Sequence, residues 1–444
     1  MRWTAADIAD VVDGRLHGPS DAVVERVTQD SRDISPASGP WLFVPLVAER
    51  DGHAFVAAAV AAGASATLAS RPVDAGSAAV IQVEDTERAL MGLGAAARDR
   101  LDAAALIAIT GSVGKTTTKD LLAGILSRDR VTHANLRSFN NEIGVPLTLL
   151  GAPDDAGAVV VEMGARGLDH ISLLCGIARP TIGIVTTVGA AHTSEFGDVA
   201  SVARGKRELV EALPPAADGG VAVLNADVEL VAAMADHTDA KVVSFGHHGE
   251  VRAVEVVLDE HLVPSFRLVS PWGEQQVGLG ARGEHLVSAA LAAAAASLSV
   301  GVSLANVAEG LSEPQLSPMR MDLQRTEQGT AVLNDAYNAN PLSMAAALRS
   351  LAALPASRRV AVIGVMAELG AQAEAEHRSM VSLAEQLGIE VIAVDAPDYG
   401  EGVRHVTGVD QALDALGSLR AQDAVLIKGS RVAALERVAH RLLD

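Results

Sequence analysis

The string Thr110-Gly111-Ser112-Val113-Gly114-Lys115-Thr116-Thr117 constrains this chain more than any other feature. It sits between the apolar run Ala105-Leu106-Ile107-Ala108-Ile109 and a helical stretch reaching about Leu126. An unbroken apolar run of this kind reads as a strand buried on both faces, which belongs to a parallel sheet covered by helices. The glycines let the backbone turn so that successive N–H groups point inward at phosphate oxygens, and the helix start adds partial positive charge. Lys115 can then reach terminal phosphates, and the Thr116 hydroxyl can ligate Mg²⁺. The longer pattern G-x-x-x-x-G-K-[ST] would need glycine at Ile109, so the loop is of the shorter T-G-x-x-G-K-T kind. A phosphate loop alone leaves kinases, ATPases, GTPases and ligases open.

The same alternation of apolar runs and helical stretches recurs along the chain. Strands are expected at Trp41–Leu46, Ala79–Val83, Gly157–Met163, Ile182–Val188, Val221–Asn225 and Lys241–Phe245. Further strands are expected at Thr330–Leu333, Arg359–Gly364, Ile389–Val394 and Ala424–Ile427. Two prolines between Ser312 and Met319 mark a linker. The expected fold is α/β in three domains: a small N-terminal α/β domain over 1–100, a central P-loop parallel-sheet domain over 101–313, and a C-terminal Rossmann-like domain over 314–444. The chain length of 444 residues suits three domains.

Composition narrows the partners. Lys and Arg total 35 against 55 Asp and Glu, a net charge of −20. Such a chain repels a phosphate backbone, and no basic run offsets this, so no nucleic-acid partner is expected. Residues of the AVILMFWYC set make up 49% and aromatics only 2%, so the cores must be packed from Ala, Val, Leu and Ile. Cys175 is alone, which excludes an intrachain disulfide and a cysteine-based zinc site. The N-terminus meets Asp7 before any apolar core and does not read as a signal peptide. The greasy stretches Ala54–Ala69 and Leu286–Val302 are mostly alanine, too weakly apolar to favour a membrane span, and the second reads as a packed helix. A cytoplasmic-type monomer is expected.

Taken together, the motifs resemble the Mur ligase family over the whole length, and within it the branch that adds D-alanyl-D-alanine. The resemblance rests on Asp30-Ser31-Arg32, Asp51-Gly52-His53, the loop Thr110 to Thr117, Asn140-Asn141-Glu142-Ile143-Gly144-Val145-Pro146 and Glu162-Met163-Gly164. It continues through His192, Lys206, Tyr337-Asn338-Ala339-Asn340-Pro341, Glu368-Leu369-Gly370 and Lys428-Gly429-Ser430-Arg431. It implies an ATP-dependent amide ligase whose substrates are UDP-N-acetylmuramoyl-tripeptide and D-Ala-D-Ala.

By the same resemblance, Ser31 and Arg32 belong to the UDP-sugar region. ATP falls to Thr110, Gly111, Ser112, Val113, Gly114, Lys115, Thr116, Thr117, Asn141, His285, Arg320 and Asp335. The substrate side of the third domain falls to Tyr337, Asn338, Asn340, Lys428, Ser430 and Arg431. Two Mg²⁺ ions are implied, the first on Thr116 and Glu162, the second associated with His192 and a carbamylated Lys206. Lys115, His192 and Lys206 are the implied catalytic set. Taken singly, His192 reads as a satisfied loop histidine and Lys206 as part of a solvated basic helix face. The chemistry agrees with a ligase: an amide can form through an acyl phosphate without a protein nucleophile, given positioning and positive charge around the phosphoryl group.

Three motifs depart from the family pattern. The asparagines that follow the histidine are Leu286 and Ala289, the aspartate pair is Asn334-Asp335, and G-D-M-x-E-L-G reads Gly364-Val365-Met366-Ala367-Glu368-Leu369-Gly370. Adenine recognition is therefore expected to be looser or to rest on backbone contacts. The rival readings are another Mur-type or folylpolyglutamate-synthase-like ligase, a P-loop nucleotide switch, and a non-catalytic relative that still binds nucleotide.

Overall fold

The structure is a computed structural model describing residues 1–101, 104–135, 139–189 and 196–444. Contacts divide it into two units. The first comprises Met1–Ala108, Arg130–Gly164 and His170–Ile182; the second comprises Ile109–Asp129, Ala165–Asp169 and Gly183–Asp444.

In the first unit, Arg15–His17, Ala79–Gln82, Ala64–Ala69, Trp41–Phe43 and Arg26–Thr28 form a five-stranded sheet in that order. Its Arg15–His17 edge is antiparallel and the other pairings are parallel. The alanine-rich stretch divides at Gly63, whose φ of +115° ends the helix Val56–Ala61 and starts the strand Ala64–Ala69. Strand Thr132–Ala134 runs parallel to Ala158–Glu162, which the sequence placed at Gly157–Met163. Helix Thr86–Asp99 is capped by the Asp85 carboxylate and packs on helix Gly144–Gly151. Gly94 permits the close approach, because a Cβ there would lie 2.7 Å from Pro146 Cα.

In the second unit, the strand ending at Thr110 meets Thr186, whose N–H donates to Thr110 O. Strands Val221–Asn225 and Lys241–Phe245 pair in parallel. The helix Leu286–Ser299 has every residue from Leu291 to Leu298 buried and lies along helix Lys115–Leu126. Its small side chains are apolar all round, as a core helix requires. Arg252–Leu258, Pro264–Ser270 and Gly273–Gly278 form an antiparallel sheet that the sequence did not reveal. Its first strand is half exposed and its polar and apolar residues do not form one continuous run.

The C-terminal sheet has the order Asp322–Arg325, Ala331–Asn334, Asp423–Lys428, Arg358–Ile363, Glu390–Val394, Arg404–Val406. The first pairing is antiparallel and the others are parallel. Alternate residues serve two cores: Leu333, Ala361, Ile363 and Leu426 face one, while Val332, Val360, Val362, Val425 and Ile427 face the other. The last strand of the chain is inserted between two earlier ones. That insertion brings three loops to neighbouring strand ends, carrying Asp335–Asn340, Lys428–Arg431 and Gly364–Gly370, where sheets of this type gather ligands. No helix among the described residues is long and apolar enough to cross a membrane.

Candidate active site

The phosphate loop is built on two strained glycines. Gly111 has a φ of +149° and Gly114 a φ of +84°, and a Cβ on Gly111 would lie 1.9 Å from Thr186 Oγ1. Thr186 Oγ1 donates to Val113 O at 2.6 Å. The N–H of Ser112 donates to Thr187 O at 2.9 Å and that of Val113 to Thr187 Oγ1 at 3.0 Å. Those two amides are thus committed to the neighbouring strand end. The amides from Gly114 to Thr117 lie at the opening of helix Lys115–Leu126, where an α-helix provides no preceding carbonyls. Lys115 Nζ folds back onto Gly111 O at 2.7 Å.

Arg320 enters this site from the C-terminal part of the same unit. Its Nη2 donates to Thr116 Oγ1 at 2.9 Å, and its guanidinium lies 4.3 Å from the centre of the Tyr337 ring. Residues of left-handed backbone flank it, Met319 at φ +60° and Met321 at φ +51°. The Met321 N–H donates to Asp335 Oδ1. Asp335 in turn pairs with the buried Lys428, whose Nζ also donates to Asn338 O at 2.9 Å. His285 is held below the usual imidazole range, first by burial; the Asp335 charge opposes that shift and Lys428 adds to it. Leu286 and Ala289, which stand at the family's asparagine positions, are buried in the helix.

Lys206 is fully enclosed on helix Val199–Glu211 instead of lying on a solvated face. Burial, and secondly the charge of Lys115, pushes its amine down to about 7. Two residues on, Glu208 accepts from the Asp169 N–H at 2.7 Å and so ties the Ala165–Asp169 loop to the helix. His192 lies outside the described residues.

Within the first unit, Glu162 ends its strand as a buried carboxylate. Asn140 Nδ2 donates to Glu162 Oε1 at 2.9 Å, and the Glu162 N–H donates to Asn135 Oδ1. Asn141 Oδ1 accepts from the Gly144 N–H. Ser31 opens a short 3₁₀ turn capped by Asp30, which also pairs with the exposed Arg32 at 2.5 Å. His53 is buried, with Nδ1 2.6 Å from Asp51 Oδ1 and Nε2 accepting from the Ser70 N–H at 2.9 Å. The accepted bond places the ring proton on Nδ1.

Several of the sequence-selected residues are engaged in holding backbone. Asn340 caps helix Pro341–Ala353 in a reciprocal arrangement with Ser343. Ser430 Oγ donates to Ala339 O and accepts from the Ala367 N–H, which ties all three strand-end loops together. Arg431 is exposed and pairs with Glu436 at 2.8 Å. Sequence reasoning gave no role to Asn140, Glu208, His377 or Tyr399. The doubled asparagine was the one signal available for Asn140, and nothing in the string marks His377 or Tyr399.

The chain is a P-loop protein whose phosphate loop is approached by Arg320, from the segment just ahead of a Rossmann-like sheet, and it belongs to the Mur ligase family. Residues 109–297 match the Mur ligase middle domain and residues 319–431 the Mur ligase, glutamate ligase domain. It is 39% identical over 504 residues to the UDP-N-acetylmuramoyl-tripeptide–D-alanyl-D-alanine ligase of Mycobacterium tuberculosis (strain CDC 1551 / Oshkosh), covering 100% of this chain and 98% of that one. It is 35% identical over 455 residues to the ligase of the same name from Escherichia coli (strain K12), covering 99% and 98%. A crystal structure of MurF from Acinetobacter baumannii superposes with a TM-score of 0.90 at 31% identity, covering 100% of this chain and 99% of that one. The MurF ligase of Thermotoga maritima in complex with ADP shares the fold at a TM-score of 0.79 and 23% identity, covering 94% and 97%. The α/β three-domain fold and the family expected from the sequence are those found.

Proposed function

We propose that this chain joins D-alanyl-D-alanine to UDP-N-acetylmuramoyl-tripeptide in peptidoglycan precursor synthesis, using ATP. The observation that carries this reading is the convergence of Lys115, Thr116 and Arg320 on the phosphate loop, in a chain similar along its whole length to ligases of that name. The peptide carboxylate attacks the γ-phosphorus, the bond to the β–γ bridging oxygen breaks, and ADP leaves with an acyl phosphate formed. The dipeptide amine then attacks the acyl carbon, the C–O bond to phosphate breaks, and the amine proton is lost. Lys115 and Arg320 supply positive charge where the phosphoryl group transfers, and the helix-opening amides from Gly114 orient its oxygens.

Thr116 Oγ1 and the Glu162 carboxylate are oxygen donors of the kind Mg²⁺ takes, and Glu162 is buried and held by Asn140, as a fixed ligand should be. When bound, Mg²⁺ supplies charge neutralisation to the phosphates. A lysine whose amine falls to about 7 is substantially neutral near neutral pH, the form that adds CO₂, which supports Lys206 as a carbamylated metal ligand. We assign 1–100 to the UDP-sugar peptide with Ser31 and Arg32, 101–313 to ATP with Asn141 and His285, and 314–444 to the dipeptide and closure over ATP. Within the last, Asp335 lies on the ATP side, and Tyr337, Asn338, Asn340, Lys428, Ser430 and Arg431 lie on the dipeptide side. We place the protein in the cytoplasm as a monomer, with ATP hydrolysis confined to the assembled site because an acyl phosphate hydrolyses in open water.

The test is phosphate release from ATP and Mg²⁺ with UDP-N-acetylmuramoyl-tripeptide, with and without D-Ala-D-Ala. Release that needs both, with a pentapeptide product by mass, supports the reading. Release indifferent to either substrate replaces it with a nucleotide switch.

A further inference from the structure

The loop Gly364–Leu369 is held by two buried polar side chains that the reaction above does not use. The Met366 N–H donates to His377 Nε2 at 2.9 Å, and His377 Nδ1 lies 2.7 Å from Ala373 O. Because Nε2 accepts, the ring is the Nδ1–H tautomer and its proton goes to Ala373. Tyr399 stands edge-on to that ring, with centroids 4.6 Å apart, and its hydroxyl donates to Gly364 O at 2.9 Å. His377 is 0% exposed and Tyr399 1%. Burial pushes the Tyr399 hydroxyl up, so it remains a donor.

Two large polar groups in an apolar core cost stability unless their bonds are made, and here each gives one bond to the same loop. The loop then follows an unfavourable path, with Glu368 exposed at φ +67°. Three further bonds run from it to the substrate strings. Gly364 N–H donates to Lys428 O, Ser430 N–H to Val365 O, and Ala367 N–H to Ser430 Oγ, which itself donates to Ala339 O.

We propose that His377 and Tyr399 are positioning residues for the incoming dipeptide: they fix the Gly364–Ala367 backbone against Ser430, which bonds Ala339 in turn. This rests on the functional reading above, which puts the dipeptide at those strings.

The experiment varies each of the three substrates separately, with full-length His377→Leu, His377→Gln and Tyr399→Phe assayed well below their unfolding temperatures. Losing one buried bond should raise the dipeptide KM about tenfold in His377→Leu and Tyr399→Phe. The KM values for ATP and the UDP-tripeptide should stay within about twofold, since the functional reading above assigns neither to this loop. Glutamine keeps an acceptor for Met366, so His377→Gln should stay near wild type. A folded variant with an unchanged dipeptide KM, or one in which all three KM values rise together, overturns the proposal. So does a glutamine variant as impaired as the leucine one. Should His377→Leu not fold, Tyr399→Phe decides. If wild-type protein shows no dipeptide-dependent phosphate release, the functional reading fails on its own. Amide hydrogen exchange at Met366 and Ala367 then reads the loop directly, and unchanged protection in His377→Leu overturns the positioning.

Discussion

Arg320 donates to the Thr116 hydroxyl across 2.9 Å, although the two residues stand 204 positions apart. The helix-opening threonine of the phosphate loop is thereby read by the C-terminal part of the chain. The Arg320 Nε is buried with no hydrogen-bond partner among the described residues, so this guanidinium has donor capacity left for a phosphate oxygen. Replacing Arg320 with alanine should lower kcat about 10²–10³-fold, the usual result of removing one charged donor to a transferring group. Lysine should recover little, because its ammonium lacks the rigid planar fork that spans Thr116 and a phosphate oxygen. Steady-state phosphate release checks both.

Gly111→Ala forces a Cβ to within 1.9 Å of Thr186 Oγ1 at a φ of +149°. We expect a loss of about 2 kcal/mol or more of stability together with loss of ATP turnover. Adding Thr186→Ala removes the collision but keeps the strained backbone, so thermal melting of the double variant should show only partial recovery.

Lys206 carries a proton less readily in the folded chain than in the unfolded one, with its amine at about 7 instead of 10.5. Between those values the unfolded state binds more protons, so this residue makes stability rise as pH rises from about 7 to about 10.5. Lys206→Met should be more stable than the uncarbamylated wild type near pH 7, with the gap closing toward pH 10. Melting curves across that range in CO₂-free buffer test it.

Activity should also depend on Lys206 as an anion. Removing CO₂ and bicarbonate should lower turnover, and restoring bicarbonate should recover it. Lys206→Arg should stay inactive at any bicarbonate concentration, since a guanidinium does not give up its proton.

The carboxyl of Asp51 is held down at about 2, first by the His53 N–H, then by the His53 side chain, with Arg71 adding to it. Its contribution is present above the unfolded value near 4 and is lost as pH falls through about 2. Melting temperatures of wild type and Asp51→Asn should therefore differ at pH 6 and converge near pH 2.

What was legible in the sequence was contiguous. The strand, glycines, Lys115 and Thr116 form one string, and a local string folds into a local loop. The Rossmann-like strands were visible because burial on both faces leaves an unbroken apolar run, as in Val360 to Ile363. The antiparallel sheet over Arg252–Gly278 has no such run and was missed. Charge alone misread Lys206, since the Arg204–Glu208 string gives no sign that one of its cations turns inward. Asn340 precedes Pro341, a helix-start signal in its own right, and its side chain is committed to that cap. His377 and Tyr399 were invisible because their partners are backbone groups of a distant loop, which leave no mark on side-chain identity.

The threading of strand Asp423–Lys428 between two earlier strands sets an order of assembly. Until that segment is synthesised and slots in, Lys428 and Ser430 are missing and the sheet has a gap where they belong. Without that segment the clasp that gathers the three strand-end loops is missing, because Ser430 bonds both Ala339 and Ala367. The clasp thus depends on a strand that the chain reaches only after the other five of its sheet.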